Sequence, residues 1–174
     1  EIVPFNKPFE FDPSLKGIIL SGSPFSVNEE KAPDVNIEAF IEKVPVLGIC
    51  YGAQLTAKRF GGRVEKSDKR EYGRAQLHVK KEDVLLKNVS EKSQAWMSHS
   101  DTIKELPAGF ELLANTESIP IAAFRKIGNW QLATGNLGRN FIWKGERFCE
   151  KRIWSLLAKI RVVSPFEILK VPRR

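Results

Sequence analysis

The chain has 174 residues and a mass of 19.7 kDa, which suits one domain with a substantial core. With 42% hydrophobic and 28% charged residues and no apolar run near the roughly 20 residues of a membrane helix, it is neither disordered, collagen-like nor a helical membrane protein. Two cysteines, Cys50 and Cys149, exclude a disulfide scaffold, and two histidines, His78 and His99, leave no zinc spacing.

The opening residues lack the basic start and apolar stretch of a signal peptide, and the expected setting is the cytoplasm. Lys16–Leu20 is a continuous apolar run suited to a parallel strand buried on both faces. Ser21–Pro33 is turn-rich and reads as a loop. Asp34–Lys43 places Val35, Ile37, Phe40 and Ile41 on one broad face and predicts a helix. Val46–Ile49 predicts a second buried strand. Tyr51–Phe60 predicts a helix closed by Gly61 and Gly62. Strand, helix, strand, helix implies a right-handed βαβ unit and a parallel sheet.

From Arg63 the period shortens. Residues 63–67, 73–79, 83–86 and 95–97 read as short strands, and 111–114 with 119–124 as a hairpin pair. Asn129–Ala133 predicts a strand and Glu146–Ile160 a helix.

Gly48-Ile49-Cys50-Tyr51-Gly52 has the G-x-nucleophile-x-G form of a nucleophile elbow. A sharp turn from strand to helix lifts one side chain above the sheet, and glycines on either side permit close backbone approach. The positive end of the following helix should lower the thiol pKa, and the Tyr51 N–H is placed to hold an oxyanion. The loop after the preceding strand, Leu20-Ser21-Gly22-Ser23-Pro24, should lie beside Cys50 and supply a second donor.

Gly48–Gln54 resembles the nucleophile motif of class I, triad-type glutamine amidotransferases, and Leu20–Pro24 resembles their oxyanion loop, with Ser23 where a second glycine is usual. Arg70-Glu71-Tyr72-Gly73-Arg74-Ala75 and Trp96-Met97-Ser98-His99-Ser100-Asp101 resemble segments of the amidotransferase domain of GMP synthases. The resemblance runs from Glu1 to about Arg125 and implies a flavodoxin-like α/β fold. It also implies glutamine hydrolysis through a glutamyl thioester on Cys50, with Ser23 and Tyr51 forming the oxyanion hole. Gly22, Gln54, Ser98 and His99 would hold glutamine, and Arg70, Glu71, Tyr72 and Arg74 would face a partner domain. That partner would be an ATP-pyrophosphatase (synthetase) domain of the same enzyme, a homodimer when complete, which uses ATP and Mg to aminate XMP to GMP. The glutaminase part itself would need no cofactor or metal. Other class I amidotransferases, or a domain that binds glutamine or a partner without turnover, are the competing readings.

The resemblance also implies a first strand with a D-x-G-x-Q-like segment, expected before Glu1. It further implies a G-x-Q-F-H-P-E segment carrying the base and its carboxylate, where Gly128–Thr134 has neither His nor Glu. His99 reads as a pocket residue, and His78, on alternating strand spacing, as outward-facing. Charge changes at the same boundary. Residues 1–124 hold 16 Lys+Arg against 18 Asp+Glu, a net −2, whereas residues 125–174 hold 12 against 3, a net +9. Residues 126–174 therefore read as an atypical basic segment, out of frame or decayed, and its charge is no sign of nucleic-acid binding.

Overall fold

The structure, a computed structural model, describes residues 2–128, 132–134 and 167–172. The predicted strand at 129–133 lies partly outside these residues, and the predicted helix at 146–160 and Cys149 lie wholly outside them. No helix among the described residues is long and apolar enough to cross a membrane.

The elements in chain order are β1 (Ile2–Pro4), β2 (Leu15–Leu20), β3 (Val46–Ile49), α1 (Tyr51–Arg59), β4 (Arg63–Val79), β5 (Lys92–Glu105), β6 (Phe110–Asn115), β7 (Ala123–Lys126), β8 (Leu132–Thr134) and β9 (Glu167–Pro172). All nine strands join one sheet in the order β1-β9-β2-β3-β8-β7-β6-β4-β5. β2, β3 and β8 run parallel, while the β4–β5, β6–β7 and β7–β8 pairs are antiparallel. The result is a flavodoxin-like α/β fold with a mixed sheet.

The apolar run of β2 is buried on both faces, as its composition requires. Ile18 and Leu20 join one core cluster with Val46, Tyr51, Ala53 and Leu55. Ile19, pointing the other way, joins Leu47, Leu77, Met97 and Leu113 in a second cluster.

Helix α1 ends as predicted. The Gly62 N–H donates to the Ala57 carbonyl at 2.8 Å and the Gly61 N–H to Lys58 at 3.1 Å, with Gly61 at φ +90°. This double closure is a Schellman motif and needs a residue that tolerates positive φ. Gly62 is also packed so closely that a Cβ there would lie 2.7 Å from the Glu105 carbonyl at the end of β5.

Four expectations differ from the structure. The segment 34–43 is not a helix; only Ile37–Ala39 forms a 3-10 turn, capped by no side-chain bond from Asn36. Its apolar face is buried as expected, with Ile37, Phe40 and Ile41 all in the core. Eleven residues between Pro33 and Pro45, with β-branched Val35 and Ile37, are too few to carry a helix by propensity, and packing holds them in an irregular turn instead. The short strands at 63–67 and 73–79 are one long strand, β4, and 83–86 is a second 3-10 turn, Val84–Leu86, capped by Asp83. In the hairpin pair the second strand starts at Ala123, later than predicted, because Ile119 is turned back toward Thr116 by two hydrogen bonds.

Candidate functional site

Cys50 stands between the last residue of β3 and the first of α1, with φ 53° and ψ −109°. A non-glycine residue at this φ is strained, and such strain persists only where the surroundings enforce it. The enforcement is visible on both sides. A Cβ on Gly48 would lie 2.8 Å from the Ala53 nitrogen, and one on Gly52 would lie 2.4 Å from the Leu20 carbonyl oxygen. The elbow is therefore built by backbone crossing backbone, which only glycine permits here.

The loop after β2 lies beside the thiol. β2 and β3 pair in register Leu20 to Gly48. The Gly52 N–H donates to the Ser21 carbonyl at 3.2 Å, and a Cβ on Gly22 would be 3.5 Å from the Cys50 Cβ. Ser23 stays in this loop, its Oγ accepting from the Phe25 N–H at 3.2 Å. The rest of the loop is tied down. The Tyr51 hydroxyl donates to the Pro33 carbonyl at 2.5 Å, Asn28 Nδ2 donates to the Val64 carbonyl at 2.8 Å, and Lys58 Nζ donates to the Val27 carbonyl.

The thiol differs from expectation. Burial pushes the Cys50 pKa above its ordinary value; a hydrogen bond from the Tyr51 N–H pulls it down, and the charge of Asp101 pushes it up again. Desolvation outweighs the helix end, so the resting group is a thiol and not a thiolate. The folded state thus holds this proton more tightly than the unfolded chain. Its contribution to stability is full below the unfolded thiol value of about 8.5 and is lost as pH rises through and beyond it. Alkylation of native Cys50 by iodoacetamide, read by peptide mass, should be slow at pH 7, climb above pH 9, and trail the urea-unfolded chain at pH 8.5. Equal rates for folded and unfolded chains at pH 8.5 would refute the raised pKa.

Asp101, on β5, is the residue the sequence reading missed. Only 2% of it is exposed. Ser26 Oγ donates to its Oδ2 at 2.5 Å, and its Oδ1 has no partner among the described residues. Its backbone carbonyl accepts from Gln54 Nε2 at 3.0 Å, so Gln54 ties α1 to this point of β5. The signal was available, since Asp101 closes the Trp96–Asp101 motif. A buried, half-satisfied carboxylate beside a thiol is costly unless a cation completes it.

The other predicted residues divide by place. Ser98 and His99 lie on β5, opposite Tyr72 and Glu71 of β4, and His99 is two residues from Asp101. His78, also on β4, pairs with Lys92 and Asn115 and stands four strands from β3, roughly 19 Å along the sheet, so it is no base for Cys50. Arg70, Glu71 and Tyr72 lie on the β4–β5 arm with Arg74. Arg74 is exposed and sits 5.6 Å from the Trp96 ring, itself exposed. β8 runs beside β3 with Thr134 opposite Ile49. Leu132, Ala133 and Thr134 carry no ionisable group, so this neighbouring strand supplies no base. Among the described residues no cluster of His, Cys, Asp or Glu could hold a metal ion.

Known proteins share this arrangement. The sequence profile described as "Glutamine amidotransferase class-I" matches residues 1–133. A GMP synthase (glutamine-hydrolyzing) of Cytophaga hutchinsonii is 44% identical over 92% of this chain and 36% of its own length. One of Phocaeicola vulgatus is 52% identical over 72% of the chain and 24% of its length. The chain thus spans about a third or less of these relatives. Among solved structures, a glutamine amidotransferase of Thermotoga maritima superposes with a TM-score of 0.61 at 22% identity, covering 70% of this chain and 55% of that one, which bears on the fold alone. With an elbow cysteine, an adjoining loop held to the helix start and a profile match over most of its length, this chain belongs to the class-I glutamine amidotransferase family.

Proposed function

We propose that the chain binds glutamine and hydrolyses its side-chain amide at Cys50, supplying ammonia for the amination of XMP to GMP in the cytoplasm. The observation that carries this reading is the strained elbow at Cys50, set against the Gly22 loop. Attack of the sulfur on the amide carbon forms a tetrahedral intermediate whose oxyanion is held by the Tyr51 and Ser23 N–H groups. Collapse releases ammonia and leaves a glutamyl thioester, and water then frees glutamate and restores the thiol. In this reading Gly22, Gln54, Ser98 and His99 hold glutamine, and Asp101 Oδ1 takes its α-ammonium, completing the carboxylate that Ser26 already holds.

The amination belongs to an ATP-pyrophosphatase domain, with its ATP and Mg, in a homodimeric enzyme. The outer face of the β4–β5 arm suits that partner. Arg70, Glu71 and Tyr72 lie along strand β4 of the arm, which exposes the Arg74–Trp96 pair; exposed arginine and tryptophan are the residues that anchor interfaces.

A second reading is binding without turnover, and the thiol's raised pKa and the lack of an ionisable group on β8 favour it. Two measurements on the purified chain, with Cys50→Ala as control, separate them. The first is ammonia release from glutamine, and the second is protection of Cys50 from iodoacetamide by glutamine. Cys50-dependent ammonia is the expected result of the hydrolase. Protection without ammonia establishes the binding reading, and absence of both overturns each.

A further inference from the structure

Cys50, the N-cap of α1, is followed at every fourth position by a polar residue that reaches out of the helix, first Gln54 and then Lys58. Residues spaced by four share one side of a helix, so the nucleophile and these two side chains lie along one line of α1. Gln54 Nε2 donates to the Asp101 main-chain carbonyl at 3.0 Å. Lys58 Nζ donates to the Val27 carbonyl in the loop after β2. Among the described residues Lys58 makes no salt bridge, whereas its neighbour Arg59 pairs with Asp34 and Glu38. The lysine charge therefore goes into a charge-assisted hydrogen bond to main chain.

Val27 follows Ser26, the residue that holds the Asp101 carboxylate. Ser26 Oγ donates to Asp101 Oδ2 at 2.5 Å, and the buried Asp101 keeps an Oδ1 with no partner among the described residues. Ser26 itself lies in a loop, and its main-chain bonds are local. Its N–H donates to Glu29 Oε1 at 3.3 Å, and its carbonyl accepts from the Glu29 N–H at 3.2 Å. The ties to distant parts of the chain fall on the next two residues. The Val27 side chain is buried in the core while its carbonyl meets Lys58, and Asn28 Nδ2 donates to the Val64 carbonyl of β4 at 2.8 Å.

We infer that Lys58 is a positioning residue for glutamine: by holding the Val27 carbonyl it keeps Ser26 on Asp101, and so presents Oδ1 to the α-ammonium. The inference rests on the reading above that Asp101 takes that ammonium. α1 then fixes Asp101 twice, its main chain through Gln54 and its carboxylate through Lys58 and Ser26. Because the same helix starts at Cys50, one element sets the span between the sulfur and the ammonium site. Without Lys58, the Val27 side chain and Asn28 still hold the loop in place, but the Ser26–Asp101 contact loosens.

Two measurements on the full chain test this, with Lys58→Met, which keeps an unbranched apolar stem, and Lys58→Arg, which restores a cationic donor. The first is amide hydrogen exchange without ligand. In Lys58→Met the Asn28 amide, which donates to Ser26 Oγ at 3.1 Å, should exchange about tenfold faster, with the α1 amides unchanged and Lys58→Arg close to the parent. The second is protection of Cys50 from iodoacetamide by glutamine and by glutaramate, which has the same amide and carboxylate but no α-amino group. Lys58→Met should need about tenfold more glutamine than the parent for half-protection, and an unchanged concentration of glutaramate. Equal weakening of both ligands would make Lys58 merely structural and overturn the inference, as would an unchanged glutamine requirement or an unchanged Asn28 amide. A parent protected no better by glutamine than by glutaramate would sink the α-ammonium reading and the glutamine role of Lys58 with it, while the exchange result would still show whether Lys58 holds the loop.

Discussion

Gly52→Ala should destabilise the fold by about 3 kcal/mol or more, among the largest effects of any single methyl group in this chain. The new Cβ would lie 2.4 Å from the Leu20 carbonyl oxygen and 2.6 Å from the Leu20 Cβ. Neither atom can swing aside, because Leu20 is locked in β2 between β3 and β9. Relief requires α1 to lift from the sheet, which opens the Cys50 elbow and breaks the Gly52 to Ser21 hydrogen bond. Gly61→Ala is the matched comparison. It sits at φ +90° with no atom within 4 Å of its Cβ position, so it bears only the cost of a left-handed backbone, about 1–2 kcal/mol. Urea unfolding of both variants decides the matter. With a slope of about 2 kcal/mol per molar, Gly52→Ala should move the midpoint by about 1.5 M. A shift no larger than that of Gly61→Ala would show that the helix–strand contact is slack.

Asp101→Asn should weaken glutamine binding about 100-fold and at the same time make Cys50 more reactive. The first effect follows from the proposed pairing of Asp101 with the α-ammonium, since truncating one partner of a buried charge pair typically costs about 2–5 kcal/mol. The second follows from the thiol's surroundings, since the Asp101 charge is one of the two influences holding its pKa up. The variant should therefore be alkylated faster than the parent between pH 7 and 8.5, while glutamine no longer protects the thiol. A purely structural role for Asp101 would move neither readout in this paired way. Ser26→Ala gives an intermediate test, because it removes the 2.5 Å hydrogen bond to Oδ2 but leaves the charge. Slower alkylation of Asp101→Asn at pH 8 would contradict the electrostatic argument.

The parts of the fold legible in the sequence were those in which local pattern and tertiary context agree. The strand Leu15–Leu20, the strand Val46–Ile49, the elbow and α1 with its two closing glycines all follow from apolar runs bounded by glycine, and each forms within a residue or two of its expected limits. Where pattern was ambiguous, packing decided. Val35, Ile37, Phe40 and Ile41 had the spacing of a helix and were buried, yet burial alone does not choose between a helix and a turn. Arg63–Val79 read as two strands because its middle is charged; the strand runs through, although its pairing with β5 is interrupted between Lys66 and Glu71. Around Cys50, the elbow itself and the approach of the Gly22 loop were legible, because the motif places a turn between strand and helix and parallel pairing brings the preceding loop beside it. The thiol's protonation was not, because desolvation depends on what parts of the chain distant in sequence, the Gly22 loop and Asp101 among them, place beside it. Asp101 escaped for a similar reason: its partners Ser26 and Gln54 are 75 and 47 residues away. β9 gave no usable sign at all, because six residues with two charges have little period of their own and take their conformation from β1 and β2.

Both ends of α1 are clamped by glycine contacts of less than 3 Å, Gly52 against Leu20 at the start and Gly62 against Glu105 just past the finish. A nine-residue helix spans about 14 Å. It thus works as a rigid spacer of fixed length between the loop beside the thiol and the root of the β4–β5 arm. A load on the arm reaches Cys50 as a tilt of the whole helix rather than as stretch within it. Inserting one alanine into α1 would rotate one clamp by about 100° relative to the other, so the helix can keep one grip or the other but not both.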